Sequence, residues 1–177
     1  MKHKKGFAAV LLTLIISALL SVSAFAASDG FSDVTEASPF YESVTYLAGR
    51  GITCGTGNGW YAPDTPITVR QWATMLCRAF DKEDALSDPA GYGGDACINQ
   101  GYADGWLNLP AMAAPDSRLC RYAIYESGFA AFDIALYSSQ LYPDGEALSS
   151  QDNAFHAAVS FGLCEDTCAG TDIITRG

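Results

Sequence analysis

Trp60, the helix start at Thr68 and Arg70 are the residues whose types and spacing point most directly to chemistry in this chain. An arginine fork offers paired donors to an anion, the free N–H groups of a helix N-terminus favour the same charge, and an aromatic face covers the apolar side of a sugar. Trp60 lies just ahead of a helix that carries Arg70 in its first turn, the combination that suits an anionic carbohydrate. Each residue also has a plainer reading. Trp60 is then a core aromatic beneath a loop, Arg70 a solvated first-turn residue, and Asp33 the cap of a turn. Gly51 is structural on either reading, because a helix end needs its left-handed conformation.

Other chemistries have less to draw on. The chain has two histidines, His3 and His156, and His3 falls in a removable leader, so no multi-histidine metal site is expected, nor any cofactor. The cysteines Cys54, Cys77, Cys97, Cys120, Cys164 and Cys168 permit up to three disulfides in an exported chain, or are small buried thiols in helices, which suits Cys77 and Cys120. Cys164 and Cys168 flank Glu165 and Asp166, whose charge would raise a thiol pKa and disfavours a reactive sulfur. No G-x-S-x-G occurs, and twenty carboxylates place some pair at glycosidase separation by chance. No catalytic residue is assigned, and the chain is expected not to be an enzyme.

The elements that must position these residues come after a leader. Residues 1–27 have a basic start (Lys2, His3, Lys4, Lys5), an apolar run from Phe7 to Leu20, and the small-residue pattern Ala24-Phe25-Ala26-Ala27, as in a cleaved secretory signal. The expectation is a secreted protein with no membrane segment after cleavage. The 177-residue chain carries a net charge of −10; losing Lys2, Lys4 and Lys5 leaves seven basic residues against twenty acidic ones, or −13. A nucleic-acid partner is excluded on that balance, and a polyanion would need a few deliberately placed arginines.

Beyond the leader, Ser38-Pro39 reads as a helix start, with Phe40, Val44, Leu47 and Ala48 at helical spacing and Gly51 closing the helix. A glycine-rich loop runs to Asp64. Thr68-Val69-Arg70-Gln71 is a capping box ahead of the stripe Trp72, Met75, Leu76, Ala79 and Phe80. Two short striped helices cannot bury themselves alone, which predicts further copies. Weaker ones follow. Ala96-Cys97-Ile98 to Gly101 ends a first helix, Pro115-Asp116-Ser117 repeats Pro63-Asp64-Thr65, and Arg121 opens a second helix. A third copy begins at Ser150; Gly162-Leu163 echoes Gly51-Ile52, and Ile174-Thr175-Arg176-Gly177 echoes Ile67-Thr68-Val69-Arg70.

Phe31-x-Asp33-Val34, Gly51-Ile52, Gly55, Gly59-Trp60-Tyr61-x-Pro63, Ile67-Thr68 and the helix Ala73-Thr-Met75-Leu76-x-Arg78-Ala79 resemble an S-layer homology repeat. The resemblance implies an all-α fold of three helix-loop-helix repeats around a pseudo-threefold bundle: residues 28–85, a divergent 86–138, and a divergent, incomplete 139–177, read as a fragment of a longer protein. It also implies a non-catalytic anchor on the Gram-positive cell wall or S-layer, whose partner is a pyruvylated cell-wall polysaccharide, with peptidoglycan as a second candidate. The alternatives are a degenerate unit serving as a structural or protein-interaction part and, further off, a secreted hydrolase. Carried over by motif, the binding positions would be Asp33, Gly51, Trp60 and Thr68, with Arg70 beside them, and Thr175 and Arg176 in the third copy. The family's order is Thr-Arg-Ala-Glu, whereas the first copy reads Thr68-Val69-Arg70-Gln71, its arginine displaced by one residue, about 100° around a helix.

Overall fold

The computed structural model of the chain describes residues 30–87, 93–108, 114–136, 150–165 and 167–177. The expected leader at 1–27 and the expected repeat boundary near 139 lie outside them. Among the described residues six helices run in order: α1 Tyr41–Gly49, α2 Val69–Ala79, α3 Glu83–Leu86, α4 Gly93–Ala103, α5 Arg121–Ala131 and α6 Ser150–Ser160. The fold is all-α; the described residues form isolated bridges but no strand.

Local chemistry sets the helix ends. At α2 the Gln71 N–H donates to Thr68 Oγ1 at 3.3 Å while the Thr68 N–H donates to Gln71 Oε1 at 3.1 Å, the capping box read from sequence. Two of the orphan donors of the first turn are thereby satisfied. Thr68→Ala is expected to cost about 1 kcal/mol, read from the midpoint of a urea titration. At the other end of α1, Gly51 has φ +70° and donates to the Ala48 carbonyl while Ile52 donates to that of Leu47. This paired closure recurs after α6, where Gly162 and Leu163 donate to Val159 and Ala158. One helix start differs from expectation. The Ser38 hydroxyl accepts the Thr35 N–H at 3.2 Å, closing a turn of its own, and α1 begins at Tyr41 with Phe40, two residues past Ser38, as an N-cap that lends no side-chain bond.

The helices are tied together by backbone. The Ile67 N–H donates to the Ile174 carbonyl at 3.0 Å, Ile174 to Leu119 at 3.1 Å, and Leu119 back to Ile67 at 3.0 Å, so the three segments close a ring. A second set runs the opposite way around: Val69 donates to Ser117, Arg121 to Asp172 and Arg176 to Thr65. A third follows it, Arg70 to Pro115, Tyr122 to Gly170 and Gly177 to Pro63. Residues 67, 119 and 174 thus occupy equivalent places, and the register 69, 121, 176 follows from them.

Around this ring lies the main core, with Ile67, Val69, Ala73, Cys77, Cys97 and Leu119 buried together. In the helix packing, α2 lies chiefly against α4, and α5 against α6. Trp72 reaches from α2 to α5, its indole N–H donating to Ser127 Oγ at 2.7 Å. All six cysteines are free thiols here. Cys77 and Cys97 are wholly buried, and burial, with the adjoining Cys97 thiol and the Asp104 carboxylate adding to it, pushes the Cys77 thiol up to about 12. Such a thiol packs as a small apolar group. Cys120 is not inside a helix as its small size suggested; it is the half-buried N-cap of α5, in bridge contact with Ile173.

Candidate functional site

Helix α2 turns two faces in different directions. Ala73, Leu76 and Cys77 enter the core, while Arg70, Gln71, Thr74 and Arg78 line a groove of about 210 Å³. Positions 70, 74 and 78 stack at i, i+4 spacing, so their side chains stand one above another. The facing wall is the loop containing Thr53, Cys54, Gly55 and Tyr61. This loop is held close: a Cβ on Gly55 would collide with the Trp60 carbonyl oxygen, and the Gly55 φ is +68°. The third side is Arg176, delivered by the ring. Its guanidinium donates to the Tyr61 carbonyl at 2.9 Å, and the Tyr61 hydroxyl donates to the Arg176 carbonyl at 2.8 Å.

The three arginines of the groove are not equivalent. Arg70 pairs with Asp95 and, at 3.3 Å, with Asp116, so two carboxylates compensate it and it ties α2 to α4 and to the segment before α5. Arg78 donates to the Ile52 carbonyl at 3.5 Å, and Arg176 to that of Tyr61. Among the described residues neither has a carboxylate within ion-pair distance. Their positive charge is therefore directed at the groove rather than cancelled. Burial pushes the Tyr61 phenol up, against the opposing pull of Arg176, and the net shift is upward, so Tyr61 stays a neutral donor at neutral pH.

Asp33 braces this wall from behind. Its carboxylate oxygens accept the N–H groups of Tyr61 at 2.8 Å and Ala62 at 2.6 Å. Desolvation raises the carboxyl pKa, the Tyr61 and Ala62 amides lower it, and the outcome lies below the ordinary 3.8. A carboxylate with a depressed folded pKa adds stability above its unfolded value, near pH 4, and that stability is lost as pH falls through the folded one. Asp33→Ala is therefore expected to lower Tm at pH 7, with the gap from the parent protein shrinking below about pH 4, as thermal melts at pH 7 and pH 3 would show.

The remaining candidates lie elsewhere. Trp60 is 54% exposed at the rim of the loop, beside Tyr61 in sequence, so it is no core aromatic; its carbonyl accepts the Thr56 N–H at 2.7 Å. Gly51 ends α1, Thr68 caps α2, and Thr175 is exposed; none of the three lines the groove. Of the residues read from sequence, the fold brings Arg70 and Arg176 together. Arg78 and Tyr61 were missed as groove residues. The signal for Arg78 was present in the polar stripe 70, 74, 78 opposite the apolar one; that for Tyr61 was not, because its role depends on a partner 115 residues away.

No helix among the described residues is long and apolar enough to cross a membrane, and no cluster of His, Cys, Asp and Glu there could hold a metal ion. Residues 30–68 match the S-layer homology domain. The chain is also 32% identical over 84 residues to a cell surface protein of Thermoanaerobacter kivui, a match that takes in 48% of this chain and 11% of that protein's length.

Proposed function

We propose that this chain, a cell-surface protein with an S-layer homology domain at residues 30–68, is a non-catalytic anchor that holds an anionic cell-wall polysaccharide in the groove of α2. The observation that carries the reading is the placement of charge. Three of the seven basic residues beyond the leader, Arg70, Arg78 and Arg176, converge on one groove, in a stretch where seven basic residues stand against twenty acidic ones, or −13. Such convergence needs a reason in an acidic protein, and an acidic ligand supplies one. The Tyr61 hydroxyl holds the Arg176 backbone in place from the opposite wall, and the exposed Trp60 at the rim offers a face for a sugar ring. Pyruvate ketals on such a polymer would present the planar carboxylates that arginine forks fit. We infer secretion and a wall location from the leader pattern together with the domain match. The residues proposed to touch ligand are Arg78, Arg176 and Trp60, with Arg70 contributing field. Asp33, Gly51 and Thr68 are proposed to shape the walls, and Thr175 to stand outside.

The test is co-sedimentation of the protein with Gram-positive walls before and after the secondary polymer is stripped and peptidoglycan left. Binding lost on stripping supports the polymer. Binding that survives assigns the ligand to peptidoglycan, and no binding to either wall preparation favours a structural unit.

A further inference from the structure

The ring of backbone hydrogen bonds gives each groove residue a counterpart elsewhere, and the counterparts differ in charge. Arg176 corresponds to Val69 and Arg121, since all three donate their N–H groups in the same cyclic set. Counting onward along α2 and α5 from Arg70 and Tyr122, Thr74 corresponds to Glu126 and Arg78 to Ala130. We infer that polyanion binding is confined to the α2 groove, and that the equivalent interface on α5 has been rebuilt into one that takes no anion. This inference rests on the function proposed above.

Three observations carry it. Val69, standing where the first groove has Arg176, is 1% exposed and packed in the core, so that interface is sealed by an apolar side chain where the other is opened by a cation. Ala130 stands where the first groove has Arg78, a cation with no carboxylate partner among the described residues. Glu126, at the place of the Thr74 hydroxyl, is 9% exposed and accepts a hydrogen bond from Asn108 Nδ2 at 3.3 Å, so a carboxyl faces inward there. A carboxyl in place of a hydroxyl, with valine and alanine in place of Arg176 and Arg78, disfavours a polyanion at the geometric position where those two arginines attract one. The third interface keeps Arg121, but the Asp172 carboxylate lies 3.9 Å from its guanidinium, whereas Arg176 has no carboxylate partner among the described residues. The described residues therefore hold one polymer segment at a time.

Isothermal titration of the full chain with soluble polysaccharide fragments released enzymatically from Gram-positive walls tests this through stoichiometry. The expected result is one fragment per chain, with affinity falling at least tenfold in Arg78→Ala and unchanged in Glu126→Gln. Because Arg176 also braces Tyr61, Arg176→Lys is the second variant: it keeps a charge and is expected to retain more affinity than Arg176→Ala. Two or three fragments per chain would overturn the inference while leaving the anchor reading intact. So would tight binding that Arg78→Ala and Arg176→Ala leave unaltered. No binding of the parent protein would remove the anchor reading and this inference with it.

Discussion

Arg78→Ala and Arg176→Ala are each expected to weaken wall binding about 10- to 100-fold, the range that follows from losing one charge-assisted hydrogen bond of roughly 1.5–3 kcal/mol. The two substitutions should differ in kind. Arg78 is half-exposed, near the end of α2, and donates only a long bond to the Ile52 carbonyl, so its removal should leave the folded state nearly as stable as before. Arg176 also holds the Tyr61 carbonyl, so part of its effect arrives through a loosened wall. Co-sedimentation at 50 mM and 500 mM salt would separate these contributions, since screening weakens the Coulombic part and spares the loop. Arg50→Ala is the control for bulk charge. Arg50 lies over the Tyr46 ring, 5.1 Å from its centroid, and lines no part of the groove, so its loss should change binding by less than about twofold. If Arg50→Ala matched Arg78→Ala, the attraction would belong to net charge and the groove would have no special standing.

Arg70 behaves differently again. Alanine there would leave Asp95 and Asp116 without their shared cation, turning the side of α2 more negative. Weaker binding is expected from field rather than from a lost contact, and it should come with a loss of stability that Arg78→Ala does not show.

What could be read from sequence follows from how local each feature is. The capping box at Thr68 and Gln71, the glycine closure at Gly51 and its echo at Gly162 are each complete within a few residues, and the chain writes them out in full. The start of α1 was misjudged because Ser38 has two local partners within reach and residue type alone does not choose between them. The site was less legible. Arg70 was singled out as a cation near a helix start, but its charge is answered by Asp95 and Asp116, and no spacing rule indicates carboxylates 25 and 46 residues away. Trp60 has two readings from sequence, a sugar face and a core aromatic, and a loop with glycines at positive φ holds the ring out to solvent, which removes the second. The displaced arginine of the first copy also becomes intelligible once the ring sets the register. Val69 stands where the resembled repeat has its arginine and fills the core, while Arg70, one residue on, serves a pair of carboxylates instead.

Leu119→Ala is expected to cost about 3 kcal/mol, within the range for truncating a buried leucine. Leu119 is 3% exposed and packs with Ile67, Val69 and Ala123. More telling than the size of the loss is where it appears. The substitution keeps the Leu119 N–H and carbonyl, so every bond of the ring remains chemically possible, and only the side chain that pins the segment is gone. If the segments at 67, 119 and 174 stand or fall together, native-state hydrogen exchange should show the amides of Ile67, Leu119 and Ile174 losing protection by the same factor, on the order of 100-fold. Each donates to the next around the ring, so opening one segment removes the acceptor of another. Loss confined to the Leu119 amide would mean that each segment is held by its own helices, and the ring would then be a consequence of their packing. A common loss means that the ring couples the segments, and the coupling extends to the groove. Arg176 is placed by the bond from its N–H to Thr65, two residues beyond the Ile174 N–H that Leu119 accepts. On that outcome Leu119→Ala, far from any ligand, should also weaken polymer binding, by raising the fraction of molecules in which Arg176 is not in place.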